Sequence, residues 1–223
     1  MIPFARISKY GNTVTDLTLL DVDFRKSTVG DTNIVDNSSH ANVFTKLNSG
    51  AASVVYDNTS AGNVMYFTGA IFGSPITSNS ALDLSTKNWV MEFEYLSSAG
   101  STALVWGTGY YPDAANWSTG ICYQIHQTSG QAQIFTTGNT ISDYWRNYVT
   151  GAVDNAWRRV VITRIGLTTT ATIYDMNGVQ QGTVTGTNQP FGASTTFGIG
   201  GYFKGLSSAF TGYIKYLNIK EIK

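Results

Sequence analysis

The 223-residue chain carries 14 basic and 14 acidic side chains, so it has no summed field with which to draw nucleic acid. Aromatic and charged residues each make up 13% of it, a balance that favours strands and turns over exposed helices. No segment holds the roughly 18 uninterrupted apolar residues that a membrane-spanning helix needs, and the single cysteine, Cys122, leaves stability to buried apolar area.

From the N-terminus, Met1-Ile2-Pro3-Phe4-Ala5-Arg6 lacks the basic start and long apolar run of a signal peptide, so the product is expected in the cytoplasm of the cell that makes it. Ile2, Phe4 and Ile7 are apolar yet precede the main pattern. Residues 1–15 are therefore expected to form an arm that docks on a partner, or an edge strand, and 16–223 a single domain. Ser27 to Ser39 is irregular. Strands follow at Val64 to Phe67, Trp89 to Leu96, Ser101 to Trp106, Ile121 to Gln127 and Gln133 to Thr136, each bounded by Gly, Asn, Ser or Asp. The succession Arg158 to Ile165, Ala171 to Met176 and Val179 to Val184 forms the clearest unit. Asn177-Gly178 is expected to make a tight type I′ turn between its last two strands, and Gly166 to Thr169 a looser one before them. Thr195 to Gly200 and Tyr213 to Lys220 close the chain. Strands of this number and spacing, without helical periodicity or an internal repeat, predict an all-β fold of two packed antiparallel sheets. Trp89, Phe93, Trp157, Val160, Ile162, Ile173 and Leu217 are its expected core, and Cys122, between Ile121 and Tyr123, reads as a structural strand thiol.

Three segments in order resemble the laminin-G-like branch of the concanavalin A-like lectin and glucanase superfamily. They are Leu82-Asp83-Leu84 through Trp89-Val90-Met91-Glu92-Phe93-Glu94-Tyr95; Trp157 through Arg164 followed by Ile173-Tyr174-Asp175-Met176-Asn177-Gly178; and Phe197-Gly198-Ile199-Gly200-Gly201 with Phe210 through Ile219. Asp21-Val22-Asp23-Phe24 and Tyr66-Phe67 would be the opening strands. The resemblance implies a jelly-roll sandwich that binds carbohydrate. The opening residues and the richness in Thr, Ser and Asn also resemble bacteriophage virion proteins, which implies a place on a capsid or tail, with other virion proteins as partners and self-association as a further mode.

Glu92 and Glu94 alternate on one strand and face the same side, about 6.5–7 Å apart, a range in which carboxylates can serve a glycosidase. The glucanases of the superfamily carry three acids on such a strand, and here Leu96 stands beyond Glu94. The pair is therefore expected to be a solvated strand face, and a glycoside hydrolase is the lesser alternative. His40 and His126 lack partners at zinc-ligand spacing. No cofactor is expected; calcium is the metal the resemblance would admit, with Asp21, Asp23, Asp31, Asp36 and Asp143 as candidate ligands and no spacing that selects among them. Tyr110, Tyr111 and Trp117, with Tyr144, Trp145 and Arg146, lie in two stretches read as loops, and amphipathic rings beside planar polar groups can stack on sugars. The expectation is a non-catalytic module that binds glycans through these loops, displayed on a phage virion. The alternative is a virion decoration or fibre-associated protein whose main partner is another virion protein.

Overall fold

The computed structural model describes residues 17–60, 62–76, 80–97, 103–110, 118–126, 131–137, 144–152, 155–187, 191, 196–201 and 209–223. Among them are strands β1 (Thr18–Asp23), β2 (Thr45–Lys46), β3 (Ala51–Asp57), β4 (Gly62–Thr68), β5 (Phe72–Pro75), β6 (Trp89–Ser97), β7 (Ala103–Tyr110) and β8 (Ser118–His126). The chain continues with β9 (Gln131–Thr137), β10 (Tyr144–Thr150), β11 (Arg158–Ile165), β12 (Thr168–Tyr174), β13 (Gln180–Thr187), β14 (Thr196–Ile199) and β15 (Thr211–Glu221). The expected all-β sandwich is what forms. One sheet runs β13-β12-β11-β6-β15-β4-β3, with β1 also paired to β15, and the other β10-β9-β8-β7-β14-β5-β2.

Alternation builds the core. Met91, Phe93 and Tyr95 of β6, Val160 and Ile162 of β11, Ala171 and Ile173 of β12, and Ile214, Leu217 and Ile219 of β15 point inward from the first sheet, all at 0% exposure. Tyr123, Ile125, Ile134 and Phe197 meet them from the second sheet. Rings interlock across the gap: Phe93 meets Tyr123 edge-on at 5.0 Å and Trp106 edge-on at 6.4 Å, and the Tyr95 and Tyr123 hydroxyls are 3.2 Å apart, while within the second sheet Trp106 lies parallel to Phe197 at 6.0 Å. Burial, followed by the charge and hydrogen bond of Tyr95, pushes the Tyr123 hydroxyl well above the ordinary phenol range. Each expected core residue is buried, Trp157 and Cys122 included.

The two C-terminal hairpins exchange the turns expected of them. Ile165 pairs with Thr168, so Gly166-Leu167 is the tight two-residue turn, and Gly166 has the positive φ (58°) that a II′ turn needs at its first position. At the second hairpin Asn177 keeps a negative φ. The Gly178 N–H donates to the Asp175 carbonyl, Gly178 itself is left-handed at φ 79°, and the Asp175 carboxylate accepts from the Asn177 and Val179 N–H groups. That is a three-residue loop with a glycine bulge instead of a type I′ turn. Asp175 wins because its side chain satisfies two donors that a two-residue turn would leave to water.

β15 is the spine of the first sheet. One edge pairs with β6 along most of its length; the other pairs with β4 through Thr211–Ile214 and then with β1 through Tyr216–Lys220. The handover falls at a bulge between Ile214 and Tyr216, where Lys215 is the extra residue.

Candidate binding face

The outer face of the first sheet, opposite the core, is lined by the alternate residues of β6, β11, β12 and β15. Register sets Tyr216 against Glu94, Glu94 against Arg159, and Arg159 against Tyr174, a row that crosses four strands. The Arg159 guanidinium lies 4.8 Å over the Tyr174 ring and 3.5 Å from Glu92. The Tyr216 hydroxyl donates to Glu92 at 2.5 Å and lies 3.3 Å from Glu94, whose second oxygen faces Lys215 Nζ at 3.3 Å. Because of the bulge, Lys215 and Tyr216 both reach this face from consecutive positions. Arg25 closes the end of the row, 4.9 Å over the Tyr216 ring and paired with Asp23 at 2.7 Å.

Glu92 and Glu94 are thus buried, at 7% and 9% exposure, and not the solvated pair that alternation alone implied. The long side chains of Arg159, Lys215 and Tyr216 cover them. Burial, and then the two neighbouring carboxylates, push the Tyr216 hydroxyl far above the ordinary phenol range, so it holds its proton as a donor. Burial alone would raise the Asp23 carboxyl, but the Arg25 hydrogen bonds and charge outweigh it and hold that group below its usual value.

An aromatic run borders this cluster. Tyr66 and Tyr213 stack at 4.6 Å, Tyr213 lies 6.4 Å from Trp157, and Lys215 Nζ lies 6.0 Å over the Trp157 ring. The Trp157 indole donates to Thr59 at 3.0 Å and to Asp57 at 3.2 Å, which fixes its plane. None of Tyr66, Trp157, Arg159, Tyr174, Tyr213, Lys215 and Tyr216 was singled out as a site residue from sequence. The legible signal was the Trp157-Arg158-Arg159 opening of β11 and the tyrosine spacing of β15.

Of the residues expected to contact ligand, Tyr110 ends β7, and Tyr144, Trp145 and Arg146 open β10, the outermost strand of the second sheet. Their backbones are strand and not loop, because β10 pairs with β9 in unbroken register from Tyr144 to Thr150. Tyr111, Trp117, Asp143 and the arm residues Ile2, Phe4 and Ile7 lie outside the described residues.

The other calcium candidates are engaged by the protein's own donors. Asp36 accepts from the N–H groups of Asp21, Ser38 and Asn42, from the Ser38 hydroxyl and from the Asn42 amide, all within 2.6–2.9 Å. Burial would raise its carboxyl, and those backbone donors lower it further than burial raises it. Asp21 faces Lys26 at 3.3 Å, Asp23 chelates Arg25, and Asp31 accepts from Thr28. At Asp36 these donor hydrogens occupy the directions a cation would need. Among the described residues no three His, Cys, Asp or Glu side chains converge.

No protein-family model matches the sequence, and no curated protein matches it. Solved structures do share the fold. Domain 4 of AbnA, a GH43 extracellular arabinanase from Geobacillus stearothermophilus, in complex with arabinotriose, superposes with a TM-score of 0.61 at 16% identity over 92% of this chain and 93% of that one. The botulinum neurotoxin serotype D binding domain gives 0.61 at 14% identity, over 93% of this chain and 49% of that one. The binding domain of botulinum neurotoxin DC in complex with SialylT gives 0.56 at 14% identity, again over 93% and 49%. The chain spans about half the length of the neurotoxin chains it matches. The fold, a two-sheet antiparallel β-sandwich, is shared with these domains, whose sequences are otherwise dissimilar.

Proposed function

We propose that this chain is a non-catalytic carbohydrate-binding module, of the laminin-G-like kind within the concanavalin A-like superfamily, that takes its ligand on the outer face of the first sheet. The observation that carries the reading is the Tyr216–Glu94–Arg159–Tyr174 row. Arg159 and Tyr174 reach the surface of a rigid sheet, and the buried Glu92, Glu94 and Tyr216 hold the row in place before any ligand arrives. Pre-ordered side chains lose little entropy on binding. Sugars need that combination, a ring for their C–H face and planar donors and acceptors for their hydroxyls. The AbnA domain in complex with arabinotriose and the neurotoxin domain in complex with SialylT support it, as proteins of the same fold with saccharide ligands.

Binding is favoured over hydrolysis by the setting of the glutamates. An acid–base pair needs one carboxyl free to give up a proton and one free to take it. Glu92 and Glu94 are instead tied to Arg159 and Lys215 and share one tyrosine donor. A glycan array with the intact protein tests the proposal, alongside Tyr174→Ala and Trp145→Ala. Loss of at least tenfold in affinity with Tyr174→Ala supports the outer face; loss with Trp145→Ala alone moves the site to the edge of the second sheet; turnover of any bound glycan overturns the non-catalytic reading.

A virion setting extends the proposal, with the arm bearing Ile2, Phe4 and Ile7 as the anchor. A second reading, attachment to a partner protein, draws support from Val29, Val35 and Val43, exposed at 57%, 57% and 69% on one irregular segment.

A further inference from the structure

Beyond Tyr174, the same face changes character. Thr168, Thr170 and Thr172 follow one another along β12 and pair directly across to Thr187, Thr185 and Thr183 of β13, the outermost strand of the sheet. Two of the three pairs are joined through their hydroxyls, at 2.9 Å for Thr170–Thr185 and 3.0 Å for Thr172–Thr183. On a third strand, Thr163 of β11 stands opposite Thr170. The inward positions of β12 are Thr169, Ala171 and Ile173, all buried, so its outward threonines are a separate feature and not spill-over from the core.

We infer that these paired columns are a second subsite, for an uncharged, hydroxyl-dense polysaccharide chain lying along β12 and continuous with the Tyr174–Arg159 end. The inference rests on the carbohydrate-binding reading and names the ligand class for it. Three observations carry it. The array holds no charge at any of its six positions, and the guanidinium beside it is already paired with Glu92, so an acidic chain finds no free cation there. Each hydroxyl is one donor and two acceptors; the Thr170–Thr185 pair uses one donor and one lone pair and keeps a donor and further lone pairs for a ligand, whereas in the Thr172–Thr183 pair Thr183 donates to the Ala171 carbonyl at 3.2 Å and accepts from Thr172, so that pair offers lone pairs. The columns repeat at about 6.8 Å along the strand and about 4.8 Å across it, and Thr168 to Tyr174 spans about 20 Å, which suits a repeating chain better than a single sugar. Four of the six threonines are exposed and the other two, Thr170 and Thr172, half-buried. Cross-strand threonine pairs also strengthen a sheet. A purely structural role, however, does not require a hydroxyl on the solvent side.

The test is binding of the full chain to arabinotriose, to linear arabinan and to polygalacturonate, with wild type, Tyr174→Ala, and the fourfold variant Thr170→Val, Thr172→Val, Thr183→Val, Thr185→Val. Valine keeps the β-branched shape and strand preference, so folding is expected to survive; Thr172→Val with Thr183→Val serves if it does not. The expected result is at least a tenfold loss for arabinan with the trisaccharide little changed, recovery when serine replaces valine, and no preference for polygalacturonate. Arabinan bound equally well by wild type and the valine variants overturns the inference, and leaves the carbohydrate reading intact if Tyr174→Ala still fails to bind. Preference for the acidic polymer also overturns it. Failure of wild type to bind any of the three, or any glycan on the array, removes the underlying reading itself.

Discussion

Replacing Tyr216 by Phe removes one hydroxyl and little else, because the ring keeps its place under Arg25. What remains is a Glu92 carboxylate at 7% exposure whose nearest donor has gone, with Arg159 still 3.5 Å away. A hydrogen bond to a charged group contributes about 1.5–3 kcal/mol, and the residual ion pair places the expected loss near 2 kcal/mol. For a chain of this length each kcal/mol moves Tm by about 2–4 °C, so calorimetry should register a fall of about 4–8 °C. Glu92→Gln in the Tyr216→Phe background should cost less than the sum of the two single changes, since the two groups serve one bond. The alkaline limb supplies an independent check. The folded-state pKa of Tyr216 is raised, so its contribution is fully present below about pH 10 and is lost as pH climbs above that value, where the unfolded phenol ionises first. Tyr216→Phe should therefore flatten part of the stability loss above that pH. A Tm within about 1 °C of wild type, together with strict additivity, would refute the account of this cluster.

Asp36→Ala should cost about 2–4 kcal/mol, because it strands the N–H groups of Ser38 and Asn42 in the irregular 27–44 segment and that of Asp21 in β1. Since the Asp36, Asp23 and Asp57 carboxyls are all held below their usual value, stability should be intact above about pH 4 and fall as pH drops through it, which acid titration of Tm will show. Phe93→Ala empties the contact between the sheets and should cost about 3–5 kcal/mol by urea denaturation. Deleting residues 1–12 should leave Tm nearly unchanged if the arm serves a partner, whereas a large loss would make it an integral edge strand.

The strands with clean alternation were legible because local periodicity alone defines them. Trp89 to Leu96 and Arg158 to Ile165 read from sequence almost to the residue. β5 was not, since Phe72-Gly73-Ser74-Pro75 carries Gly and Pro and is held only by its pairing with β14 and β2. β10 was read as loop because Arg146 and Asn147 interrupt it, although Tyr144, Trp145, Val149 and Thr150 have strand preference. The site itself was hidden for a different reason. Whether Glu92 is solvated depends on Tyr216 and Arg159, 124 and 67 positions away, and on a one-residue bulge at Lys215 that no local pattern announces. Threonine richness was visible in the composition, but the paired columns exist only once β12 and β13 are set in register.

The most direct test of the central claim is a backbone-amide NMR titration of the intact protein with a glycan that scores on the array. Shifts should concentrate in β6, β11, β12 and β15, be largest near Arg159, Tyr174 and Tyr216, and vanish with Tyr174→Ala. Shifts confined to β9 and β10 of the second sheet, with the Arg159–Tyr174 row silent, would contradict it.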